Sequence, residues 1–207
     1  TSLARWAAGL VVLTIVLAIG ANRMVRRNAL IRKLHPVETL GSVTSILTDK
    51  TGTLTTNQMT VRRIWTKDGT IDVSGVGFAP EGGFEAEGGP IEPKERPRLM
   101  GLLTSAMLCN DSALRRHLVE EDYRWEVRGD PTEGALNVVG VKAGLAQEDL
   151  EESHPRVDEI PFDPKNRYMV TFHRTPSGTI RVVAKGAPEA ILRMSSWIEG
   201  EEGTVEL

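Results

Sequence analysis

The chain has 207 residues, of which 40% are hydrophobic and 26% are charged, and this composition excludes a wholly disordered chain, a collagen and a long coiled coil. The single cysteine, Cys109, excludes an internal disulfide framework and any paired-cysteine metal or redox site. Aromatic residues make up only 5%, so no nucleic-acid partner is expected. The net charge of −3 is unevenly distributed: residues 1–59 carry seven Lys or Arg against two acids, and the remainder carries eighteen against twenty-six. We therefore expect two regions with different surroundings.

The first region contains an uncharged run, residues 6–21, which is followed by the basic residues Arg23, Arg26, Arg27, Arg32 and Lys33. A membrane span needs about 20 apolar residues, and sixteen residues give roughly 24 Å of helix. The run therefore predicts a short span, the end of a longer span, or a buried helix of a soluble protein. Basic residues after the run are typical of a cytoplasmic helix end and not of a signal peptide. We expect an integral membrane protein whose main domain is cytoplasmic, with the helical pattern ending at Asn28.

The rest of the chain has the pattern of a mixed α/β protein. Residues 45–49 predict a short buried strand that runs into a polar loop. Strands at 61–65 and 70–74 are expected to form a hairpin around the Asp68-Gly69 turn signal, and the Gly- and Pro-rich residues 75–93 predict a surface loop. Further patterns predict helices at 98–109, 132–143, 148–152 and 187–194, and strands at 156–162, 168–173 and 179–184.

The segment DKTGTLT, residues 49–55, carries the strongest chemical signal. A carboxylate at the C-terminal end of a strand lies where α/β sheets bind ligands, and Gly52 permits a tight turn whose N–H groups and Thr hydroxyls can hold an anion. Asp49 can attack a phosphoryl group to give an aspartyl-phosphate. Thr51 cannot supply the acid–base group that a phosphatase would use to release that phosphate. The alternative is a solvated Thr-rich turn capped by Asp49.

Residues 49–61, DKTGTLTTNQMTV, resemble the phosphorylation signature of the P-type ATPases. Residues 26–41 resemble the family's link from the fourth membrane helix to the phosphorylation strand. GDPTEGAL at 129–136, residues 160–162 with the basic-Met segment after them, and KGAPE at 185–189 resemble the three nucleotide-domain motifs, in the family's order. The combination is most similar to the calcium-type and related cation pumps.

This resemblance implies a fold and a domain organisation. Residues 1–28 would be the end of a transmembrane helix with its basic exit, and residues 29–60 the start of an α/β phosphorylation domain of the haloacid-dehalogenase type. Residues 61–207 would form an α+β nucleotide-binding domain with an antiparallel sheet.

The resemblance also implies roles for the residues of the phosphorylation motif. Asp49 would accept the γ-phosphate of ATP and ligate Mg²⁺ together with the backbone carbonyl of Thr51. Lys50 belongs to the same catalytic motif, and Thr53 would help to hold the phosphate. ATP and Mg²⁺ are therefore the expected ligands.

A second group of residues would bind the nucleotide. The resemblance implies that Glu133 contacts the adenine end, that Phe162 stacks on adenine, and that Lys185, followed by Gly186, lies deep in the pocket. Arg167 would reach toward the phosphates. Taken singly, each has a plainer explanation: a core Phe, a solvated Lys at a turn, or an acid that stabilises a helix start. Their order behind DKTGT favours the nucleotide site.

The sequence also departs from the family pattern. Residues 5–10, RWAAGL, stand where such pumps usually have PEGLP, and the later TGD and GDGxND motifs and the TGE motif do not occur in this sequence. We expect ATP-driven cation transport through an aspartyl-phosphate intermediate, of which the present piece would bind ATP without hydrolysing it alone. The alternatives are a haloacid-dehalogenase-like phosphatase and a non-catalytic, membrane-tethered nucleotide-binding module. The transported cation is not identifiable from these residues.

Overall fold

The computed structural model describes residues 2–29, 41–119, 122–200 and 203–206. The chain divides into two compact units, Thr1–Leu54 and Thr55–Leu207. Residues 30–40, which include Arg32 and Lys33 of the predicted basic exit, lie outside the described residues.

The first unit begins with helix α1, Ser2–Val25. Its 24 residues give roughly 36 Å of helix, more than the uncharged run alone predicts, because the helix continues past that run at both ends. The part Arg5–Val25 is long and apolar enough to cross a membrane, with a mean hydropathy of 1.9, although length and composition alone are a weak indication of a span. The predicted helix end is confirmed: Asn28 has a φ of 61°, and the Ala29 N–H donates to the Met24 carbonyl at 3.0 Å.

The prediction of a strand at residues 45–49 is wrong. These residues have no regular secondary structure, and Ile46 and Leu47 are 81% and 99% exposed. An apolar run becomes a strand only where another strand pairs with it, and in the described part of the chain none does. The predicted start of a haloacid-dehalogenase-type domain is therefore not seen in the described residues.

The second unit opens with a four-stranded antiparallel meander. Strands β1, Arg63–Thr66, and β2, Gly69–Val73, form the predicted hairpin, close to the predicted bounds. The prediction of a surface loop over residues 75–93 is wrong in part, because β3, Phe84–Ala86, and β4, Gly89–Ile91, complete the sheet. Phe84 of β3 is only 3% exposed. The burial of this aromatic side chain stabilises a strand within a stretch whose Gly- and Pro-rich composition predicts a loop.

The remaining elements are helices and antiparallel strands: α2 (Pro97–Leu108), β5 (Ala113–Val119), β6 (Asp122–Arg128), α3 (Pro131–Lys142), α4 (Gln147–Ser153), β7 (Arg156–Asp163), β8 (Tyr168–Arg174), β9 (Ile180–Gly186), α5 (Pro188–Met194), β10 (Trp197–Gly200) and β11 (Gly203–Glu206). Strands β7, β8 and β9 form a three-stranded antiparallel sheet. The predicted helices and the three predicted strands of this sheet are confirmed with small shifts of their ends, whereas the hairpins β5–β6 and β10–β11 were not predicted.

Helix α2 connects the two halves of this unit. On one side Leu99 and Leu103 pack with the buried residues of the meander and with Val139 of α3. At its other end Leu108 packs with Met169 of β8 and its neighbours. Because α2 contacts both α3 and β9, the N-terminal end of α3 is held beside the three-stranded sheet. The candidate site lies there.

Candidate nucleotide site

A cleft of about 770 Å³ lies between the start of α3 and the ends of the three-stranded sheet. It brings together all five residues predicted to bind a nucleotide: Glu133, Phe162, Arg167, Lys185 and Gly186. The other lining residues were not predicted as site residues: Asp111, Gly129, Asp130, Thr132, Leu136, Met169 and Ala187. Five of them, all but Asp111 and Met169, lie within the quoted GDPTEGAL and KGAPE motifs, so the motifs themselves were a signal that could have found them.

Glu133 and Lys185 form an ion pair in the wall of the cleft. Lys185 Nζ donates to Glu133 Oε1 at 2.7 Å, and the two side chains are only 26% and 16% exposed. The other carboxylate oxygen, Oε2, accepts the Asp111 backbone N–H at 2.9 Å. The carboxylate is therefore fixed through both oxygens, and the ammonium group is held at a defined place.

The start of α3 supplies a second fixed acid. Asp130 caps the helix, and its Oδ1 accepts the N–H groups of Thr132 at 2.8 Å and Glu133 at 3.2 Å, while Pro131 occupies the first helical position. Burial acts to raise the pKa of Asp130, but these hydrogen bonds outweigh it and lower the pKa below its ordinary value. The cap fixes where the helix begins, and thereby where Glu133 points.

Phe162 presents an exposed aromatic face to the cleft. It lies near the end of β7, and its side chain is 58% exposed although it is large and apolar. Met169 of β8 lines the same cleft and is almost completely buried. An exposed ring in a cleft that also has an apolar lining residue is suited to stacking against a flat aromatic ligand.

Arg167 and Gly186 meet at the end of the ladder between β8 and β9, where Tyr168 pairs with Gly186. Arg167 has a φ of 61°, and its carbonyl accepts the Ala187 N–H at 2.9 Å. A Cβ on Gly186 would lie 2.4 Å from that carbonyl oxygen, so this position has room only for glycine. The Arg167 guanidinium binds Glu189 Oε1 at 2.6 Å, so the described contact of this cation is with an acid of α5.

The predicted phosphate-accepting residues belong to the first unit, whereas the cleft belongs to the second. Asp49, Lys50, Thr51 and Thr53 are all exposed, and the Thr51 N–H donates to Asp49 Oδ1 at 3.4 Å. Gly52 has a φ of 75°, which is the tight turn that the sequence predicts. Among the described residues there is no cluster of three or more His, Cys, Asp or Glu side chains that could hold a metal ion.

Residues 98–207 match the family model described as P-type ATPase, cytoplasmic domain N. The chain is 45% identical over 194 residues to the "Probable cation-transporting ATPase F" of Mycobacterium tuberculosis H37Rv, an alignment that covers 93% of this chain and 21% of that protein. It is 46% identical over 187 residues to the "Cation-transporting ATPase pma1" of Synechocystis sp. PCC 6803, covering 88% of this chain and 20% of the relative. It is 35% identical over 187 residues to the "Calcium-transporting ATPase" of Bacillus subtilis 168, covering 90% and 21%. The chain thus spans about a fifth of the length of these relatives. Because the family model covers more than half of the chain, the chain belongs to the P-type ATPases.

Proposed function

We propose that the unit Thr55–Leu207 binds ATP as the nucleotide-binding domain of a cation-transporting P-type ATPase. The observation that carries this proposal is that one cleft is lined by the exposed ring of Phe162, the Glu133–Lys185 ion pair and the guanidinium of Arg167. The names of the relatives, which are cation- and calcium-transporting ATPases, support the same conclusion.

Each part of ATP has a matching group in the cleft. Adenine would stack on the exposed ring of Phe162, since a ring face accepts any base. The Glu133 carboxylate would accept a hydrogen bond from the amino group of adenine, and Lys185 would stay beside it. Arg167 would turn from Glu189 toward the triphosphate, because the new anion carries more charge than one carboxylate.

We further propose that Asp49 is the phosphate acceptor of the transport cycle. Its carboxylate oxygen would attack the γ-phosphorus of ATP, the bond from that phosphorus to the bridging oxygen would break, and ADP would leave with the electron pair. The product is an aspartyl-phosphate. Thr51, two residues on, has no titratable group to return the intermediate to phosphate, which suits a protein that uses it as a conformational state.

The residues present fit Mg²⁺ in part. Magnesium needs about six oxygen ligands in near-octahedral geometry and is commonly held by one or two carboxylates together with phosphates and waters. The Asp49 carboxylate and the Thr51 carbonyl would supply two such oxygens. Bound there, the ion would neutralise charge on the phosphates. Because Asp49 is exposed and, among the described residues, belongs to no cluster of side chains that could hold a metal ion, we expect the 207-residue chain to bind ATP without turning it over.

Helix α1 is the proposed membrane segment. Its roughly 36 Å exceeds the roughly 30 Å of a hydrocarbon core, and large apolar side chains such as Leu10 and Trp6 are 71% and 79% exposed. Arg23 in its last turn, with Arg26 and Arg27 just beyond it, suits a cytoplasmic helix end. If the purified chain stays monomeric without detergent, this assignment is wrong.

Titration of the 207-residue chain with ATP in detergent micelles tests the proposed nucleotide site. We expect a dissociation constant on the order of 0.1–1 mM, which corresponds to about −4 to −5.5 kcal/mol. Lys185→Met should weaken binding, whereas Lys67→Met, which removes an exposed lysine from the β1–β2 turn, should not. Equal affinities for the two variants would show that the cleft is not the nucleotide site.

A further inference from the structure

We propose that Arg156 is a positioning residue that fixes the Glu133 carboxylate in the nucleotide cleft, acting through the segment Asn110-Asp111. The inference rests on the proposed ATP site. Arg156 does not line that cleft; it lines a neighbouring cavity of about 370 Å³. Asp111 lines both cavities, so the two share one wall.

The Arg156 guanidinium joins three parts of the fold. Its Nη1 donates to Asp111 Oδ1 at 2.6 Å and to Glu159 Oε2 at 2.7 Å. Its Nη2 donates to the carbonyls of Leu108 at 3.2 Å and Asn110 at 2.7 Å. These contacts tie the first residue of β7 to the end of α2 and to the segment after it. A planar fork with several fixed donors can do this, whereas a lysine cannot.

Asn110 and Asp111, which bind Arg156, also bind Glu133. The Asp111 N–H donates to Glu133 Oε2 at 2.9 Å, and Asn110 Nδ2 donates to the Glu133 carbonyl, also at 2.9 Å. Asn110 is only 6% exposed, and its Oδ1 accepts both the N–H and the hydroxyl of Ser112. The Asn110-Asp111 segment is therefore fixed, and Glu133 Oε1 is directed to Lys185.

Arg156 also balances the charge at the rim of the cleft. Without its partner, the Asp111 carboxylate would be an unpaired negative charge in the wall of a site for a triphosphate. Burial lowers the pKa of Arg156, but the carboxylates of Asp111 and Glu159 raise it by more, so the guanidinium stays charged at every working pH. Loss of Arg156 should therefore weaken nucleotide binding in two ways: it would release the Asn110-Asp111 segment, and it would leave the Asp111 carboxylate without its cation.

A double-mutant cycle on the 207-residue chain in micelles tests this coupling. Arg156→Met should weaken ATP binding about tenfold, but only about threefold when Glu133→Gln is already present, because the unpaired charge of Asp111 still acts in that background. Adding Asp111→Asn to Arg156→Met should restore part of the affinity, because the unpaired charge is then gone. The control Arg98→Met removes a part-buried ion pair with Asp68, and neither residue lines the cleft. It should lower the unfolding temperature and leave the affinity unchanged.

A readout that needs no nucleotide separates this proposal from the proposed function. Hydrogen exchange of the Asp111 amide proton, followed by NMR, should be slowed by its hydrogen bond to Glu133, and this amide response should vanish in Glu133→Ala. We expect Arg156→Met to abolish the response and Arg156→Lys to reduce it. If the wild-type chain binds no ATP, the proposed function fails, and the amide response still decides the role of Arg156. The proposal would be overturned by an unchanged amide response in either Arg156 variant. It would also be overturned if Arg156→Met lost the same affinity with and without Glu133→Gln. If Arg156→Met does not fold, the amide response of Arg156→Lys decides.

Discussion

Replacing Gly186 by alanine tests whether the close approach of β8 and β9 shapes the nucleotide cleft. The added Cβ would lie 2.4 Å from the Arg167 carbonyl oxygen and 2.6 Å from Tyr168 Cβ. Cβ atoms essentially never come within 3.0 Å of another group, so the carbonyl has to retreat by about 0.6 Å, the difference between 3.0 and 2.4 Å. Because the nearest atom belongs to the backbone, no change of rotamer relieves the contact.

The cost follows from this geometry. Overpacking of one methyl group costs about 1–3 kcal/mol, and a backbone contact belongs in the upper part of that range. The lower entropy of the unfolded alanine chain offsets about 0.4–1 kcal/mol. A net loss of about 2 kcal/mol lowers the unfolding temperature of a unit of about 150 residues by roughly 4–8 °C. The hydrogen bond from the Ala187 N–H to the Arg167 carbonyl lengthens, so nucleotide affinity should fall as well.

Thermal unfolding followed by circular dichroism, together with ATP titration, measures both effects. Gly101→Ala is the matched control, because nothing lies within 4 Å of a Cβ at that helical position. That substitution should raise stability, by up to about 1 kcal/mol, through helix propensity. If Gly186→Ala unfolds at or above the wild-type temperature, the strand contact does not constrain the site.

Three further predictions concern the proposed site and the core. Phe162→Ala should weaken ATP binding by about 1–3 kcal/mol if the ring stacks on the base. The control Trp65→Ala, at an exposed aromatic residue outside the cleft, should leave the affinity unchanged. Calorimetric titration compares the two variants, and equal affinities would refute the stacking. In a protein of the relatives' full length that carries this segment, Asp49→Asn should abolish hydroxylamine-sensitive labelling from radioactive ATP, and persistent labelling would exclude Asp49 as the acceptor. Burial, helped by the charge of Arg156, lowers the pKa of His173 in the folded chain. Its neutral ring therefore stabilises the fold above the unfolded pKa of about 6.5, and this contribution is lost as the pH falls through the folded value. Urea unfolding at about pH 7.5 and about pH 5 should show a larger loss for the wild type than for His173→Gln, and parallel losses would contradict the assignment.

Signals that act within a few residues were sufficient to predict many local features. Asp130-Pro131 predicts the start of α3, and the structure shows why: the Asp130 carboxylate accepts the first N–H groups of that helix. The Asp68-Gly69 turn and the end of α1 at Asn28 were likewise predicted, because turn and cap conformations depend on neighbouring residues only. The spacing of apolar residues predicted the helices and the three-stranded sheet for the same reason.

Features that depend on distant partners were decided by tertiary structure. The apolar run at residues 45–49 predicted a strand, but strand pairing needs a neighbour, and the described residues place none beside it. The hairpin β5–β6 was not predicted, although Tyr123, Trp125 and Val127 of β6 alternate with charged residues; its partner strand β5 shows no such alternation. The burial of Phe84 in the core of the meander could not be predicted from the Gly- and Pro-rich residues around it.

The residues of the candidate site were predicted from the sequence, whereas their contacts were decided by the tertiary structure. The family motifs named Glu133, Phe162, Arg167, Lys185 and Gly186 from the sequence, but nothing in the local pattern says that Lys185 binds Glu133, 52 residues away, rather than solvent. The sequence alone therefore determined which residue types are available, where most helices and turns begin and end, and which family the motifs resemble. Only the tertiary structure decided which charges are paired, because these ion pairs depend on the packing of α2 against both α3 and the three-stranded sheet. That packing is the sum of many weak contacts between residues far apart in the chain, which no local sequence pattern specifies.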